Sequence, residues 1–158
     1  MTDPAFVTPP LAIETSYLDH NGHVNMAYHL VLADTALDLA FSAFKAGPEF
    51  GQRGLTTFAG EMHVRYLAEM NFGDEIVGRV ILIESDAKRA RWAVELVRRP
   101  DETVVTTVEG VSLVVSLETR RVAQWPDDVR ALIEATVERC RPAAAELDWL
   151  GRSVGMRR

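Results

Sequence analysis

Between Tyr17 and Tyr28 the chain reads Tyr-Leu-Asp-His-Asn-Gly-His-Val-Asn-Met-Ala-Tyr. Asp19 is followed closely by Asn21, Gly22, His23 and Asn25, and a long apolar run starts directly behind them. A core segment has no use for so many polar groups, and a surface loop does not need to open an apolar run, so the pattern describes a site at a helix N-terminus. The first N–H groups of a helix lack intrahelical acceptors and lie at the positive end of its dipole. Those of Asn25 and Met26 are placed to polarise a carbonyl and hold the oxyanion that forms from it. Gly22 permits a tight turn and close approach of backbone to a ligand, which makes it and Tyr28 candidate substrate contacts. Asp19, on the same turn, can attack the polarised carbonyl or activate a water against it.

Each of these residues has a plainer role. Asp19 and Asn21 suit turn and helix capping, Asn25 suits the N-cap, His23 alone reads as a structural histidine, and Tyr28 reads as a packing residue. Together they favour a site, because a cap does not need all of them in one turn. Glu61, His63 and Arg65 share a strand face and suit either a pocket wall or a solvated or intersubunit face. His20 and His29 add two imidazoles, but Asp19, His20 and His23 are too close in sequence to converge on a metal, and none is expected. Lys88, Arg89, Arg91, Arg98 and Arg99 form a basic segment that suits a phosphate-bearing ligand or, more simply, solvated strand ends.

The elements that must position the site follow from periodicity. Leu11–Ser16 alternates after Pro9-Pro10 and predicts a short strand leading into the motif. Val24 to about Ala46 predicts one long helix, apolar around most of its circumference and so expected to be buried on most sides, ended by Gly47-Pro48. Residues 49–54 read as a glycine-containing loop. A strand follows with Phe58, Met62, Val64 and Tyr66 on a core face and Thr57, Glu61, His63 and Arg65 on a polar one. Turns at Asn71–Asp74, Ser85–Lys88 and Pro100–Glu102 separate strands at 76–84, around Trp92, and at 103–117, giving a four-strand meander. Pro126 and two aspartates open a short helix over 129–140, which Pro142 should end, and the tail from Trp149 has no assignable period. The expected class is α+β: a curved antiparallel five-stranded sheet wrapped around one long helix, plus a C-terminal helix. Residues 1–125 form the main unit, and 126–158 are a helix and tail of the same domain. Open sheet edges predict a homodimer or homotetramer.

The 158 residues suit one domain, and a 47% hydrophobic, 25% charged composition is that of a globular chain. A net charge of -6 argues against a non-specific nucleic-acid binder. No apolar run is long enough to span a bilayer, and residues 1–10 lack a secretory pattern, so the expected location is cytoplasmic. The single cysteine, Cys140, excludes an internal disulfide and reads as a buried structural thiol.

Asp19-x-Asn21-x-His23-Val24-Asn25-x-x-Tyr28, set between a strand and a long helix, resembles the signature of hotdog-fold acyl-CoA thioesterases. The element order is similar over roughly Leu11 to Leu117, and Tyr66-x-x-Glu69 before Gly73-Asp74 resembles that family's turn after the second strand. The aspartate matches the 4-hydroxybenzoyl-CoA thioesterase pattern. Asn21 and His23 look more like plant acyl-carrier-protein thioesterases, whose pattern also places a carboxylate where Glu69 falls. The resemblance implies a catalytic network of Asp19, Asn21, His23 and Glu69, no cofactor, and an acyl-CoA or acyl-carrier-protein substrate. Met62-His63-Val64-Arg65-Tyr66-Leu67 is similar to the carnitine-pathway thioesterases that hydrolyse betainyl-CoA. A trimethylammonium group calls for aromatic faces, for which Tyr28, Trp92 and Trp149 are candidates. A hotdog hydratase pattern fits less well, because Gly22-His23 stands where it has proline and one further residue before its histidine. A non-catalytic acyl-thioester-binding module is the remaining alternative.

Overall fold

Helix α1 spans Met26–Ala43 and is capped by Asn25, whose side-chain oxygen accepts the Ala27 N–H. It stops short of the expected Ala46 because Lys45 turns left-handed (φ 61°), which folds the Ala46 N–H back onto the Phe41 carbonyl. Its buried stripe is His29, Leu32, Ala33, Ala36, Ala40 and Phe41, recurring at helical spacing. The outer side is not covered within the chain: Met26 is 70% exposed, and Val31 and Leu39 are exposed too. The helix is therefore buried on one side, not on most sides.

The computed structural model describes residues 5–156. Its strands are β1 (Phe6–Val7), β2 (Leu55–Tyr66), β3 (Glu75–Ser85), β4 (Arg89–Arg99) and β5 (Thr103–Ser116), all antiparallel, in the sheet order β1-β3-β4-β5-β2. The meander is thus three strands, β3 to β5. The strand β2 crosses to the far edge and pairs with β5. The first strand is Phe6–Val7, not Leu11–Ser16: Pro9-Pro10 offers no N–H to a ladder, and beyond it only Leu11 bridges to Ile76. Residues Pro48–Arg53 form a 3-10 turn in place of an open loop and bury Phe50 against Trp125.

Alternation divides the sheet. Val80, Leu82, Trp92, Val94 and Leu96 face α1, while Ile81 and Ala93 face helix α2 (Asp127–Ala145) on the other side. Trp92 is fully buried, with its indole N–H on Ser112 Oγ at 2.9 Å. Gly78 of β3 is required by close approach, since a Cβ there would overlap that of Ala36 on α1. As an edge strand, β2 has no fully buried residue: of its expected core face, Val64 packs on the core at partial burial, while Met62 and Tyr66 lie towards α1 but stay exposed. A bulge between Ala59 and Glu61 also breaks its alternation. Thr57 and Ala59 consequently lie with Met62 on the α1 side, and Phe58 is turned off it to meet the Arg120 guanidinium.

Pro142 lies inside α2 and does not end it. Its missing N–H leaves the carbonyl of exposed Glu138 to solvent, while Cys140 and Ala143 on either side are buried against Ile81, Ala93 and Trp149. That packing holds the last turn. The start of the tail is also docked, since the Gly151 N–H donates to Glu109 Oε2 at 2.7 Å.

Candidate active site

The motif is a tight loop closed on itself. Leu18 bridges Val24, the Asp19 N–H donates to the His23 carbonyl at 2.8 Å, and the Gly22 N–H to the Asp19 carbonyl at 3.0 Å. Gly22 sits at φ +80°, the left-handed conformation that closes the loop and that a side chain would strain. Asp19 Oδ1 accepts the N–H groups of Asn21 (2.8 Å) and His23 (3.4 Å). Among the described residues its Oδ2 takes no hydrogen bond. One oxygen therefore shapes the loop, and the other is free for chemistry.

A second set of bonds seats the loop on the chain after β2. Val24 N–H donates to the Met70 carbonyl at 2.8 Å, and His23 bridges Asn71. This brings Glu69 beside the motif, with His23 Nε2 to Glu69 Oε2 at 3.4 Å. Both side chains are solvent-accessible, so the contact orients more than it stabilises. Asp19, His23, Met26, His29, Tyr66, Glu69 and Met70 wall an open cleft of about 390 Å³.

The helix start corrects one expectation. The Asn25 N–H already donates to the Tyr17 carbonyl at 2.8 Å, so it is not available to an oxyanion. The Met26 N–H, at the first helical position and on the cleft, has no intrahelical acceptor. It is the donor that remains.

Of the expected network, Asp19, His23 and Glu69 converge on the cleft and Asn21 does not: it is exposed, and its backbone N–H serves the loop. Gly22 shapes the loop without lining the cleft. Tyr28 stacks on Tyr17 with ring centroids 4.4 Å apart, a packing role. Glu61 and His63 lie elsewhere, in a groove of about 320 Å³ with Arg91, Glu109 and Gly151. Arg65 follows them at strand spacing and likewise does not line the cleft. The arginines of the basic segment are each paired: Arg89 with Asp86, Arg91 with Glu109 and Glu84, Arg98 with Asp101, and Arg99 with Glu102. The Arg89 side chain, helped by the Lys88 N–H, holds the Asp86 carboxyl down at about 2.

His29 is a cleft residue to which sequence reasoning gave no role. It is buried, its Nδ1 lies 2.6 Å from Thr106 Oγ1, and burial lowers its pKa against the opposing pull of the Val24 backbone. Its signal was a polar residue on the same stripe as Ala33 and Ala36. Among the described residues no three or more His, Cys, Asp or Glu side chains are grouped to hold a metal, and no helix is long and apolar enough to cross a membrane.

Comparison with known proteins places these features in context. A family model described as the thioesterase-like superfamily matches residues 13–133. The betainyl-CoA thioesterase of Pseudomonas aeruginosa is 27% identical over 141 residues, which cover 89% of this chain and 88% of that protein. The L-carnitine dehydrogenase/betainyl-CoA thioesterase of Rhizobium meliloti is 24% identical over 92% of this chain, but the match spans only 29% of that longer protein. A Staphylococcus aureus protein solved in complex with CoA superposes with a TM-score of 0.88 at 21% identity, covering 99% of this chain and 98% of that one. The five-stranded sheet, its long helix and the C-terminal helix are the hotdog fold.

Proposed function

Since the chain belongs to the thioesterase-like superfamily, we propose that it is an acyl-CoA thioesterase, releasing a free acid and CoA from an acyl-CoA. The observation that carries this reading is the shared cleft of an Asp19 carboxylate with one oxygen free of hydrogen bonds and a helix-tip amide, Met26 N–H. The thioester carbonyl oxygen accepts from Met26 N–H, and the helix dipole favours the negative charge that develops there. Asp19 Oδ2 then acts in one of two ways. As a base it takes a proton from water while the water oxygen bonds to the carbonyl carbon. As a nucleophile it bonds to that carbon itself, and water later cleaves the anhydride. In both, the C–S bond breaks and CoA leaves as a thiolate. A thiolate is a much better leaving group than an alkoxide, so its departure needs little help from an acid and no cofactor is required. His23, held near Glu69, faces the same carbonyl and orients water or substrate.

The acyl group we propose is betainyl, in line with the relatives that carry that name. Its quaternary nitrogen is two bonds from the carbonyl carbon and must be met inside the same cleft. Tyr66, 47% exposed, and the Glu69 carboxylate offer an aromatic ring and an anion there. The three aromatics expected from the sequence do not: Tyr28 is stacked on Tyr17, Trp92 is fully buried, and Trp149 packs on the α2 side. We further propose a homodimer or homotetramer, since the β2 edge and exposed Met62, Val31 and Leu39 leave an apolar surface uncovered among the described residues. A cytoplasmic location suits a chain whose single cysteine, Cys140, is buried and forms no disulfide.

The test is an acyl-CoA panel that includes betainyl-CoA, with free thiol followed in time. Thiol release that is lost in Asp19→Ala supports the proposal. Binding of acyl-CoA without thiol release refutes it in favour of a binding module, and loss of enoyl absorbance refutes it in favour of a hydratase.

A further inference from the structure

We infer that Tyr66 and His29 form a clasp that positions the Met26 amide for oxyanion binding, an inference that rests on the thioesterase reading above. Four residues make it. Met26 and His29 lie one turn apart at the start of α1, while Tyr66 and Thr106 are direct cross-strand partners on β2 and β5. Two bonds join the pairs: Tyr66 Oη donates to the Met26 carbonyl at 3.1 Å, and His29 Nδ1 meets Thr106 Oγ1 at 2.6 Å. The His29 and Tyr66 rings close the square edge-on, with centroids 5.1 Å apart and planes at 75°.

The need for it lies in the helix end. The first turn of α1 holds no acidic residue, and its cap supplies one side-chain acceptor, to Ala27. The loop before it is tied by backbone through Tyr17 and, at His23 and Val24, to the segment after β2, but none of these ties reaches a strand of the sheet. The Tyr66 hydroxyl does. A half-exposed tyrosine ordinarily gives its hydroxyl to water, and here it is spent on the carbonyl of Met26, the first helical residue and part of the cleft wall. His29 is likewise unusual as a polar group on a stripe otherwise of Leu32, Ala33, Ala36, Ala40 and Phe41. An apolar residue would fill that space, but it would not key to the Tyr66–Thr106 pair. The helix tip is thereby fixed relative to β2 and β5, and with it the direction of Met26 N–H.

The test is Tyr66→Phe, which keeps the ring and removes the hydroxyl. A donor that is misdirected loses transition-state stabilisation without weakening CoA binding, so kcat should fall about five- to tenfold with KM within about twofold. Thr106→Val should act in the same direction, and Thr106→Ser, which restores a hydroxyl, should recover most of the rate. Amide exchange at Ala27 and Tyr28 in Tyr66→Phe should accelerate at unchanged global stability. An unchanged kcat overturns the inference, and so does a raised KM with kcat intact, which would assign the Tyr66 hydroxyl, and not only its ring, to the substrate. If the wild-type protein releases thiol from no acyl-CoA, the thioesterase reading falls. The exchange measurement then still decides the clasp: faster exchange at Ala27 and Tyr28 upholds it, and unchanged exchange overturns it.

Discussion

Gly78→Ala links the fold to the site and gives a perturbation whose size follows from the packing. A methyl group at position 78 would overlap Ala36 Cβ and approach Thr8 Cγ2 to 3.3 Å. Carbon atoms settle at about 3.5–4.0 Å, so α1 must retreat from β3 by about 1 Å. Ala36 is fully buried and Gly78 N–H donates to Thr8 Oγ1 at 2.8 Å, so neither neighbour moves freely. Overpacking of this kind costs about 1–3 kcal/mol, or a Tm lower by about 2–12 °C in a chain of this size. The same retreat moves Met26 relative to Tyr66 and Glu69, and a displacement near 1 Å is worth up to about 100-fold in rate. Urea unfolding and thiol release on the purified variant measure the two effects. The decisive arm is the double variant with Ala36→Gly, which removes the opposing methyl. Ala36→Gly alone costs roughly 1 kcal/mol in helix propensity. In the pair the two losses should fall short of additive by about 1–2 kcal/mol, because the clash exists only when both methyls are present. Strict additivity, or a Gly78→Ala variant within about 0.5 kcal/mol of the parent, would refute the claim that Gly78 sets the seat of α1.

Two further outcomes follow. His29 is buried with its pKa below the usual 6.5, so the folded state resists its protonation. Its contribution to stability is complete above about 6.5, where both states are neutral, and is lost as pH falls through the folded value. Urea midpoints between pH 7.5 and 5 should decline in the parent and decline less in His29→Gln. Glu61→Gln and His63→Ala, which alter the groove away from the cleft, should leave the thiol-release rate within about twofold when compared under saturating acyl-CoA.

The parts of the fold legible in the sequence are those decided by local periodicity. The run from Met26 onward has no breaker and has a good cap in Asn25, so α1 was plain. The alternation of Trp92, Val94 and Leu96 gave the faces of β4. What alternation does not carry is the identity of a strand's neighbour: chain order alone predicts a meander that includes β2, whereas β2 pairs with β5. The bulge at Ala59–Glu61 inverts the face of Phe58, and such a bulge has no composition of its own. Pro142 was expected to end α2, but burial of Cys140 and Ala143 outweighs one lost donor.

In the site, residue types were more legible than directions. Asp19, His23 and Glu69 were expected together, and they do wall one cleft. Whether the Asn25 N–H faces a ligand or the Tyr17 carbonyl depends on the path of the loop, which side-chain chemistry does not record. The same holds for Asn21, whose position beside Asp19 in the chain leaves it outside the cleft. Glu61, His63 and Arg65 read from the sequence as one polar strand face, and the fold keeps Glu61 and His63 together in a groove away from the cleft, but alternation alone does not say what that face meets.

The most direct measurement is the rate of CoA thiol release by the parent protein and by Asp19→Asn, assayed side by side. The amide side chain keeps an oxygen to accept from Asn21 and His23 N–H, so the loop and the stability should be preserved. The free carboxylate oxygen is lost, and with it a nucleophile or base worth about 10²–10⁴ in rate. A parent that releases thiol, and an Asp19→Asn variant with unchanged Tm whose kcat falls by at least about 100-fold, is the predicted result. A variant that retains the parental rate would contradict the assignment of Asp19 and the account built on it.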